Sequence, residues 1–578
     1  MSEGPGAGAG AASVRPAGPF AVLLEFDSLE KVQRCFAWAE RWRAARPGVL
    51  VDVVPAERTL MAIATFDDAG QRGLREFVAA VGNVDWSVAG DGDGDSAGGG
   101  VAQSAQSEIV ELPVLYEGPD LDDVARLTGL ATNEIVSLHT AAEFTVAFTG
   151  FAPGFAYLTG LPDVLRVPRR DAPRTRVPAG AVALGGPYSG VYPRESPGGW
   201  QLIGRLAAWA PALWDETRDS PALLRPGTRV RFRDAAERSG PDGAPGVSGD
   251  RDEATAEAGG PGLRVVRAGP LTTVQDLGRP GFAHLGVPRS GAVDRASLKL
   301  ANRLVGNEEG AAALELTLGG GAVCLEVGRW VAVAGARCEV TVSASVHGAG
   351  DDDGAAEGAG DGAGSRQQTV MRTVPGAAFY VPGGAVVDVG PAAAGVRAYL
   401  AVAGGVGGAG VLGSRSVDLL SGVGGRALVT RERVALGDPT GLPPDIPGLG
   451  LAPLRDADDP VVVRLVLGPR SEWFTDDAVR DLIAAQWTVG MESNRTAVRL
   501  DGPMVQRARD GEPASEPLVV GAVQIPHDGR PVLFLADHPV TGGYPVIACA
   551  HPADLDAVGQ ARPGTGIRFR MVGTSSRR

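Results

Sequence analysis

The spacing of hydrophobic residues follows two different patterns along the chain. Between residues 18 and 140, short apolar runs alternate with stretches in which apolar residues recur at helical spacing. The apolar runs predict strands at 20–26 (FAVLLEF), 59–66 (TLMAIATF) and 109–116 (IVELPVLY). The helical spacing predicts helices over 29–42 (capped by Ser28), 70–81, 120–128 and 132–139. This alternation predicts a small α+β domain.

From about residue 144 onward, short β-branched runs are separated by Gly/Pro turns at intervals of 8–15 residues. That spacing is typical of β-barrels or β-sandwiches. Helical patterns are rare here, and the clearest lie at 294–305 and 475–486. The predicted fold class is therefore mainly β with an α+β part, in several domains.

Two internal repeats support related β modules. The run RPGTRVRFR (225–233) returns as RPGTGIRFR (562–570), with seven of nine positions identical. VPAGAV (177–182) returns as VPGGAV (381–386). The first pair predicts a similar closing strand at the end of each half. Chance similarity between Gly/Pro turns is the alternative interpretation.

Low-complexity stretches predict the domain boundaries. We expect a disordered tail over 1–17, the α+β domain over 18–140 and a β domain over 141–234. A Gly-rich stretch over 235–262 is typical of a flexible linker, and the second half then runs over 263–576 with a polar insertion at 347–368. A further polar loop is expected over 90–107.

Composition excludes several function classes. The formal charge is −14 and no basic stripe is visible, which argues against nucleic-acid binding. No run approaches 18 consecutive apolar residues, so no transmembrane helix is expected. The start of the chain lacks the pattern of a secretory signal, so we expect a cytoplasmic protein. The only two lysines, Lys31 and Lys299, stand in neither a P-loop nor a biotin-attachment context.

Metal-binding spacings are missing as well. The four cysteines lie far apart among apolar residues, the closest pair being Cys324 and Cys338. This distribution predicts buried thiols. The six histidines are scattered without a His-x-x-x-His pair. The sequence therefore predicts no structural metal site.

Candidate chemistry in the first half lies on two glycine-rich segments. TGFAPGFAYLTGLP, from Thr149, suits either an anion-binding turn or a buried aromatic corner. GVYPRESPGGWQLIGR (190–205) places Tyr192, Trp200 and Arg205 around a double glycine. This density of polar and aromatic side chains exceeds what a plain hairpin needs. The arginines between them, at 169–176, suit either anion binding or a solvated face.

The second half carries three such segments. GPLTTVQDLGRPGFAHLGVPRSGAVD (269–294) contains Gln275, Asp276, Arg279, His284 and Asp294. Asp276 and Arg279 could form a structural ion pair, or the carboxylate could orient water or magnesium while arginines hold an anion. MESNRTAVRLDGP (491–503) brings Arg495. VQIPHDGRPVLFLADHPVTGGYP (523–545) brings Tyr544 beside two glycines, which suits a ligand-facing loop.

These motifs resemble two known families. GFAPGFAYL, VPAG and GVYPRESPGGWQLIGR make the first half, 18–234, similar to the allophanate hydrolase subunit 1 family, also called the sporulation kinase inhibitor type. GPLTTVQDLGRPG, LGVPRSGAVD, ESNRTAVRLDGP, VGAVQIPHDGRPV and TGGYP make the second half, 263–576, resemble the subunit 2 family. The chain thus resembles their fusion. The resemblance implies cyclophilin-like barrels, one in the first half and two in the second.

The resemblance implies three chemical settings. The favoured one is an ATP-dependent 5-oxoprolinase, in which the chain would be the fused B and C components. It would open 5-oxoproline to glutamate together with a separate A component, and would be inactive without it. The alternatives are the carboxyltransferase component of a biotin-dependent urea or amide carboxylase, and a regulator that binds a sensor histidine kinase. ATP and Mg²⁺ are the implied cofactors, with no biotin attached to this chain.

Site roles follow from motif membership and residue chemistry. Asp276 and Asp294 are expected to position magnesium or water, and His139 or His284 to move a proton. A second group is expected to bind substrate or phosphate: Arg205, Gln275, Arg279, Arg495, Tyr544, Trp200 and Tyr192. We expect no resident metal held by protein ligands alone, no membrane partner, and allow for an oligomer.

Overall fold

The computed structural model describes residues 12–86, 109–170, 172, 174–237, 260–345, 368–373, 376–441 and 459–572. The predicted polar loop lies outside these residues, as do most of the predicted tail, linker and insertion.

An antiparallel four-stranded sheet begins the chain, in the order β1-β2-β4-β3. Leu24, Leu60 and Phe77 belong to the core between this sheet and its two helices. Leu23 and Met61 alternate with them along the strands and pack with the C-terminal barrel. The elements are β1 (Ser13–Pro16), β2 (Ala21–Glu25), α1 (Leu29–Ala44), β3 (Leu50–Pro55), β4 (Thr59–Ala64) and α2 (Asp68–Gly82).

A closed seven-stranded barrel follows, in the order β10-β7-β6-β13-β5-β12-β9, and β8 and β11 pair beside it. Its core is filled by aliphatic and aromatic side chains that include Phe144 and Phe232. The elements are β5 (Val110–Leu115), α3 (Leu121–Thr128), α4 (Thr132–Ala141), β6 (Phe144–Thr149), β7 (Ala156–Thr159), β8 (Arg174–Val177), β9 (Ala181–Gly185), β10 (Tyr188–Val191), β11 (Ser196–Gly198), β12 (Gln201–Leu206) and β13 (Arg229–Asp234).

The second half begins with an open nine-stranded sheet that curves into a half-barrel. Two long strands, β18 and β21, form its spine and pair antiparallel. The elements are β14 (Gly262–Arg267), β15 (Leu271–Gln275), α5 (Arg295–Leu304), β16 (Ala313–Thr317), β17 (Gly319–Leu325), β18 (Arg329–Ser345), β19 (Gln368–Thr373), β20 (Ala378–Val381), β21 (Val386–Val402) and β22 (Arg433–Ala435).

A second closed seven-stranded barrel ends the chain, in the order β23-β30-β27-β28-β25-β24-β31. Trp487 is fully buried in its core. The elements are β23 (Val461–Leu467), α6 (Asp476–Ala484), β24 (Gln486–Val489), β25 (Ala497–Asp501), β26 (Glu516–Pro517), β27 (Ala522–Gln524), β28 (Val532–Phe534), β29 (Thr541–Gly542), β30 (Val546–Ala550), α7 (Pro552–Gly559) and β31 (Gly566–Met571).

The longer internal repeat occupies the same position in both closed barrels. Strand β13 pairs in parallel with β5, and β31 pairs in parallel with β23, so each repeat closes its barrel against the first strand. The turn before each strand is also equivalent. Thr228 O accepts from Val146 N at 2.9 Å, and Thr565 O accepts from Val489 N at 3.0 Å. The repeat is therefore structural, and the interpretation as chance similarity is wrong.

The multidomain, mainly β fold class is confirmed, but two segments differ from expectation. Residues 13–16 of the predicted tail form β1 and pair with β2. Strand β5, predicted to belong to the α+β domain, is part of the first barrel because it pairs with β13, over a hundred residues further along the chain. Local sequence does not reveal such long-range pairing. In the described residues, no helix is long and apolar enough to cross a membrane.

Candidate functional site in the cleft between the two halves

A cleft of about 560 Å³ opens where the first barrel meets the second half. Its lining gathers motifs that lie hundreds of residues apart in the sequence. The first half contributes residues 151–153 and 194–197. The second half contributes Gly286, Pro288, Leu420, Ser421, Glu492, Asn494, Thr496, Ala497, Arg499, Leu518, Gln524, Pro526, Val532, Phe534 and residues 539–544. Neither half alone forms this cleft.

Hydrogen bonds that involve backbone groups join the two halves at the cleft. Phe151 N donates to Thr541 Oγ1 at 3.0 Å, and Gly154 N donates to Leu285 O at 3.2 Å. The Thr149 hydroxyl donates to the carbonyl of His284. Gly286, at φ +78°, allows this approach, since a Cβ there would lie 2.5 Å from the carbonyl oxygen of Ala152.

Phe151 adopts a strained backbone at the mouth of the cleft. Its φ is +65°, in the left-handed region that bulky side chains rarely enter. The ring is 36% exposed and meets Phe155 and Tyr192 edge-on, at centroid distances of 5.4 and 6.2 Å. Strain of this kind concentrates at binding and catalytic sites. The Phe151 turn is therefore a candidate ligand-contacting part of the first-half wall.

Arg194 brings a positive charge to the first-half wall. Its guanidinium lies against Gly422, where a Cβ would meet Nη1 at 2.6 Å. Among the described residues, the Arg194 guanidinium has no hydrogen-bond acceptor and no ion-pair partner within 4 Å. Burial lowers the pKa of Arg194, and the nearby Asp418 opposes that shift. A half-buried guanidinium with free donors suits a carboxylate or a phosphate.

The opposite wall carries a second arginine and an exposed tyrosine. Arg499 is 56% exposed at its side chain and lies 3.6 Å from Glu492. Asn494 shapes the turn before it, since its Oδ1 accepts from Thr496 N at 2.8 Å. Tyr544 is 36% exposed, and Gln524 Nε2 donates to its carbonyl at 2.8 Å. The guanidinium of Arg499, the amide of Asn494 and the phenol of Tyr544 therefore all line the cleft from this wall.

Of the residues predicted as site residues, only Tyr544 lines the cleft. Tyr192 and Trp200 lie behind the Phe151 turn, buried with Phe155 in the aromatic cluster of the first barrel. Burial raises the pKa of Tyr192 to about 12, so its phenol stays protonated. Both residues support the cleft wall from inside.

Gln275, Asp276 and Arg279 lie in a buried loop network. The Asp276 carboxylate accepts from Gly278 N at 2.7 Å and Arg415 N at 2.7 Å, as well as from the hydroxyls of Ser414 and Ser416. Arg279 donates to the carbonyl of Ser416, and burial lowers its pKa. Gln275 donates to the carbonyl of Val417 at 2.8 Å. These contacts fix the loop 411–424, which carries Leu420 and Ser421 to the cleft.

Asp294 and His284 also make structural contacts. Asp294 is the N-cap of α5, accepting from Ser297 N at 2.9 Å and from Gln560 Nε2 at 2.7 Å. The His284 ring lies 6.0 Å from the ring of Phe36, and burial lowers its pKa to about 4. Neither side chain lines the cleft.

Arg495 is the centre of a buried ionic cluster. It donates to both Asp537 oxygens at 2.9 Å and to Glu315 Oε1 at 2.5 Å. Ser290, whose φ is +53°, donates to Asp537 at 2.7 Å. Burial opposes ionisation of Glu315, but Arg495 and Arg397 outweigh it and hold the pKa of Glu315 below its ordinary value. The cluster joins the half-barrel to the second barrel.

The remaining two predicted residues lie in the first barrel, away from the cleft. His139 is fully buried, with Nδ1 2.7 Å from the Tyr116 hydroxyl and Nε2 2.9 Å from that of Ser189. Burial lowers the pKa of His139 to about 3, so the ring is neutral. Arg205 lies on the outer face and pairs with Glu117 at 2.6 Å.

Of the eleven predicted residues, one thus lines the cleft and ten do not. The sequence assigned no ligand-binding role to Arg194 or Arg499, although both lie within candidate motifs and Arg499 stands beside Arg495 in the 491–503 motif. The available signal was position, because Arg194 lies in the bend between β10 and β11 and not within a strand. Arg205, by contrast, belongs to the strand β12.

Among the described residues, the predicted carboxylates do not form a binding site for Mg²⁺. The carboxylates of Asp276 and Asp294 have their oxygens occupied by protein donors. Within the described ranges, no group of three or more His, Cys, Asp or Glu side chains is placed to hold a metal ion. The two carboxylates predicted for magnesium therefore do not fit that role.

Comparison with family models divides the chain at the same cleft. Residues 12–224 match the carboxyltransferase domain, subdomain C and D. Residues 285–571 match the carboxyltransferase domain, subdomain A and B. The two walls of the cleft therefore come from the two different models.

Individual relatives show the same division. The chain is 35% identical to the C subunit of 5-oxoprolinase from Escherichia coli (strain K12) over 311 residues, 53% of this chain and 90% of that protein. It is 51% identical to the B subunit of 5-oxoprolinase from Escherichia coli O157:H7 over 134 residues, 23% of this chain and 60% of that protein. It is also 32% identical to urea amidolyase of Lachancea kluyveri, over 53% of this chain and only 17% of that protein.

A solved structure covers both halves at once. The crystal structure of TTHA0988 matches 96% of this chain and 100% of its own, at 34% identity and a TM-score of 0.75. The order of the halves and their packing are thus shared with a relative of similar extent. With both family models and these relatives in agreement, the chain belongs to the carboxyltransferase-domain family as a fusion of the allophanate hydrolase subunit 1 and subunit 2 types.

Proposed function

We propose that this chain is the fused B and C components of an ATP-dependent 5-oxoprolinase that works with a separate A component. The relatives that match its two halves are named as the B and C subunits of 5-oxoprolinase. The observation that carries the proposal is the shared cleft, because its lining requires both halves and includes the half-buried guanidinium of Arg194. A joint site explains why the two components would be fused.

The reaction needs activation of an unreactive bond. The lactam of 5-oxoproline is stabilised by amide resonance and is a poor electrophile. Transfer of the γ-phosphoryl group of ATP to the lactam oxygen releases ADP and makes that oxygen part of a leaving group. Water then adds to the carbon, the ring C–N bond breaks, and a second water releases phosphate. The products are glutamate, ADP and phosphate, and the protein's task is to hold both anionic substrates in register.

Residues of the cleft suit that task. Arg194 and Arg499 approach from opposite walls and can each bind a carboxylate or a phosphoryl group. Phe151 and Tyr544 present exposed rings that shield the reacting atoms from bulk water. We assign no proton transfer to His139 or His284, because neither lines the cleft and burial lowers the pKa of each.

Magnesium enters the proposal as part of the ATP substrate. Mg²⁺ usually keeps several waters and binds through substrate phosphates with one or two carboxylates. Asp276 and Asp294 are occupied by hydrogen bonds, so no residue of this chain is assigned to the ion. Use of ATP agrees with the cytoplasmic location expected from the sequence.

The test is an assay of glutamate and ADP formed from 5-oxoproline and ATP. The purified chain is measured alone, then with the A component, and the A component is measured alone. Both products appearing only with the two proteins together support the proposal. Absence of glutamate in every combination contradicts it.

A second candidate is carboxyl transfer in a biotin-dependent urea or amide carboxylase. The description of both family models and the match to urea amidolyase favour it. This candidate predicts carboxyl transfer from carboxybiotin supplied by a separate carrier, without release of glutamate from 5-oxoproline. Incubation with free carboxybiotin and urea distinguishes it from the first candidate.

A further inference from the structure

A second, small and partly open cavity lies next to the cleft, where three parts of the fold meet. Its volume is about 100 Å³. The N-terminal sheet contributes Asp52 and Ile63, the loop before α5 contributes Arg289, and the second barrel contributes Val519. Pro288, Leu518 and Val540 line both this cavity and the cleft, so the two spaces share a wall.

Charged side chains surround this cavity without pairing directly. Arg289 and Arg295 face it together with Asp52 and Asp556. In the described part of the chain, none of these four side chains makes an ion pair within 4 Å. Arg289 Nε donates to the carbonyl of Leu277 at 3.3 Å, whereas Arg295 Nε is buried with no partner.

The two carboxylates are engaged by backbone groups. Asp52 Oδ1 accepts from Ala283 N at 3.1 Å, and Asp556 Oδ1 accepts from Arg295 N at 2.9 Å. Two guanidinium groups therefore face a common space with most of their donors unused. Both arginines are only partly exposed, and charged groups held away from water without a partner are unfavourable, so an anion between them would stabilise this arrangement.

We propose that this cavity binds a small carboxylate between the guanidinium groups of Arg289 and Arg295. The guanidinium fork matches the two oxygens of a carboxylate. The rest of the wall is mainly apolar, with Val51, Ile63, Val519 and Leu555, and suits a short alkyl group. The cavity is smaller than the roughly 150 Å³ that holds benzene, so the ligand has only a few heavy atoms.

The carboxyl groups give this site a pH dependence. Burial raises the pKa of Asp52 to about 6, and burial likewise raises that of Asp556 to about 6. Arg43 lies near Asp52 and Asp294 near Asp556, while burial keeps His538 neutral by lowering its pKa. As the pH falls from 7.5 to 5.5, Asp52 and Asp556 become neutral and compete less for the arginines. Affinity for the anion therefore rises.

The experiment is calorimetric titration of the full chain with sodium acetate, at ionic strength held constant with sodium chloride. We expect one saturable site that tightens between pH 7.5 and pH 5.5. Arg295→Gln should weaken acetate at least about tenfold, as for loss of a hydrogen bond to a charged group. The matched control is Arg480→Gln, whose side chain is 69% exposed.

A second variant keeps the test valid if Arg295→Gln folds poorly. Ala536 lines the cavity, and Ala536→Leu fills it without removing a charge. We expect acetate binding to be lost in this variant while its circular dichroism stays that of the wild type. Equal acetate affinity in wild type and Ala536→Leu, or no saturable binding at either pH, overturns the proposal. The assay contains no ATP or 5-oxoproline, so its outcome is independent of the proposed enzyme activity.

Discussion

The backbone N–H of Phe151 donates a hydrogen bond to the hydroxyl of Thr541 at 3.0 Å, across 390 residues of sequence. Phe151 belongs to the first half and Thr541 to the last barrel, and both line the cleft. Because this bond joins the two halves within the lining of the proposed active site, changes at either end should affect both stability and turnover.

Thr541→Val removes the acceptor with little change in shape. The Phe151 N–H is then left without its partner at the interface, which should cost about 1–2 kcal/mol of unfolding free energy. Urea unfolding followed by tryptophan fluorescence measures this cost. Thr140→Val is the matched control, because Thr140 donates only within its own helix. Equal midpoints for both variants would contradict the role of this bond.

Gly150→Ala should destabilise the interface between the two halves through a steric clash. A Cβ at Gly150 would lie 2.6 Å from Thr541 Oγ1, so the interface must shift, at a cost of about 1–3 kcal/mol. A Cβ at Gly82, at the end of α2, would meet no neighbouring atom within 4 Å. Gly82→Ala should therefore be neutral or stabilise by up to about 1 kcal/mol. A loss of thermal stability in Gly82→Ala as large as in Gly150→Ala would argue against this account.

Arg495→Met should be among the most destabilising single changes. It leaves Glu315 and Asp537 buried without their cation, and breaking such a pair costs about 3–5 kcal/mol. The exposed pair of Arg480 and Asp477 provides the comparison, and Arg480→Gln should change stability by less than about 1 kcal/mol. Chemical denaturation of both variants measures the difference. Similar denaturation midpoints for Arg495→Met and Arg480→Gln would contradict a stabilising role for the buried cluster between the half-barrel and the second barrel.

His139 makes stability depend on pH. Its folded pKa is about 3 because burial disfavours the charged ring, whereas the unfolded value is about 6.5. Above about pH 6.5 the neutral ring costs the folded state nothing. As the pH falls below this value the unfolded chain takes up the proton first, so the free energy of unfolding decreases by about 2 kcal/mol by pH 5. The stability of wild type should therefore drop more steeply between pH 7 and pH 5 than that of His139→Gln. Parallel pH profiles would show that the ring is accessible to protons in the folded chain.

Local patterns predicted the elements better than their assembly. The spacing of Val32, Cys35, Ala39 and Trp42 predicted α1, and these residues are buried in the core. The repeat at 225–233 and 562–570 predicted equivalent closing strands, which the two barrels contain. Strand β5 was assigned to the wrong domain, because its partner β13 lies over a hundred residues away.

The candidate site was predictable as a set of motifs but not as a set of side chains. Each of the five candidate segments (149–162, 190–205, 269–294, 491–503 and 523–545) contributes residues to the cleft, yet Asp276, Arg279 and Arg495 are buried away from it. A charged residue in a loop either stabilises that loop or meets a ligand. Only the tertiary structure distinguishes the two cases, and it places Arg194 in the cleft and Arg205 on the outer surface, paired with Glu117.

The most direct measurement is the rate of glutamate and ADP formation from 5-oxoproline and ATP, with the A component present, for wild type and Arg194→Gln. The account predicts coupled formation of both products by wild type and an unchanged rate in Arg480→Gln. Turnover in Arg194→Gln should be at least about tenfold slower, because one charge-assisted contact is lost. Wild-type rates in Arg194→Gln, or no glutamate from the wild-type pair, would contradict the claim that this cleft performs the reaction.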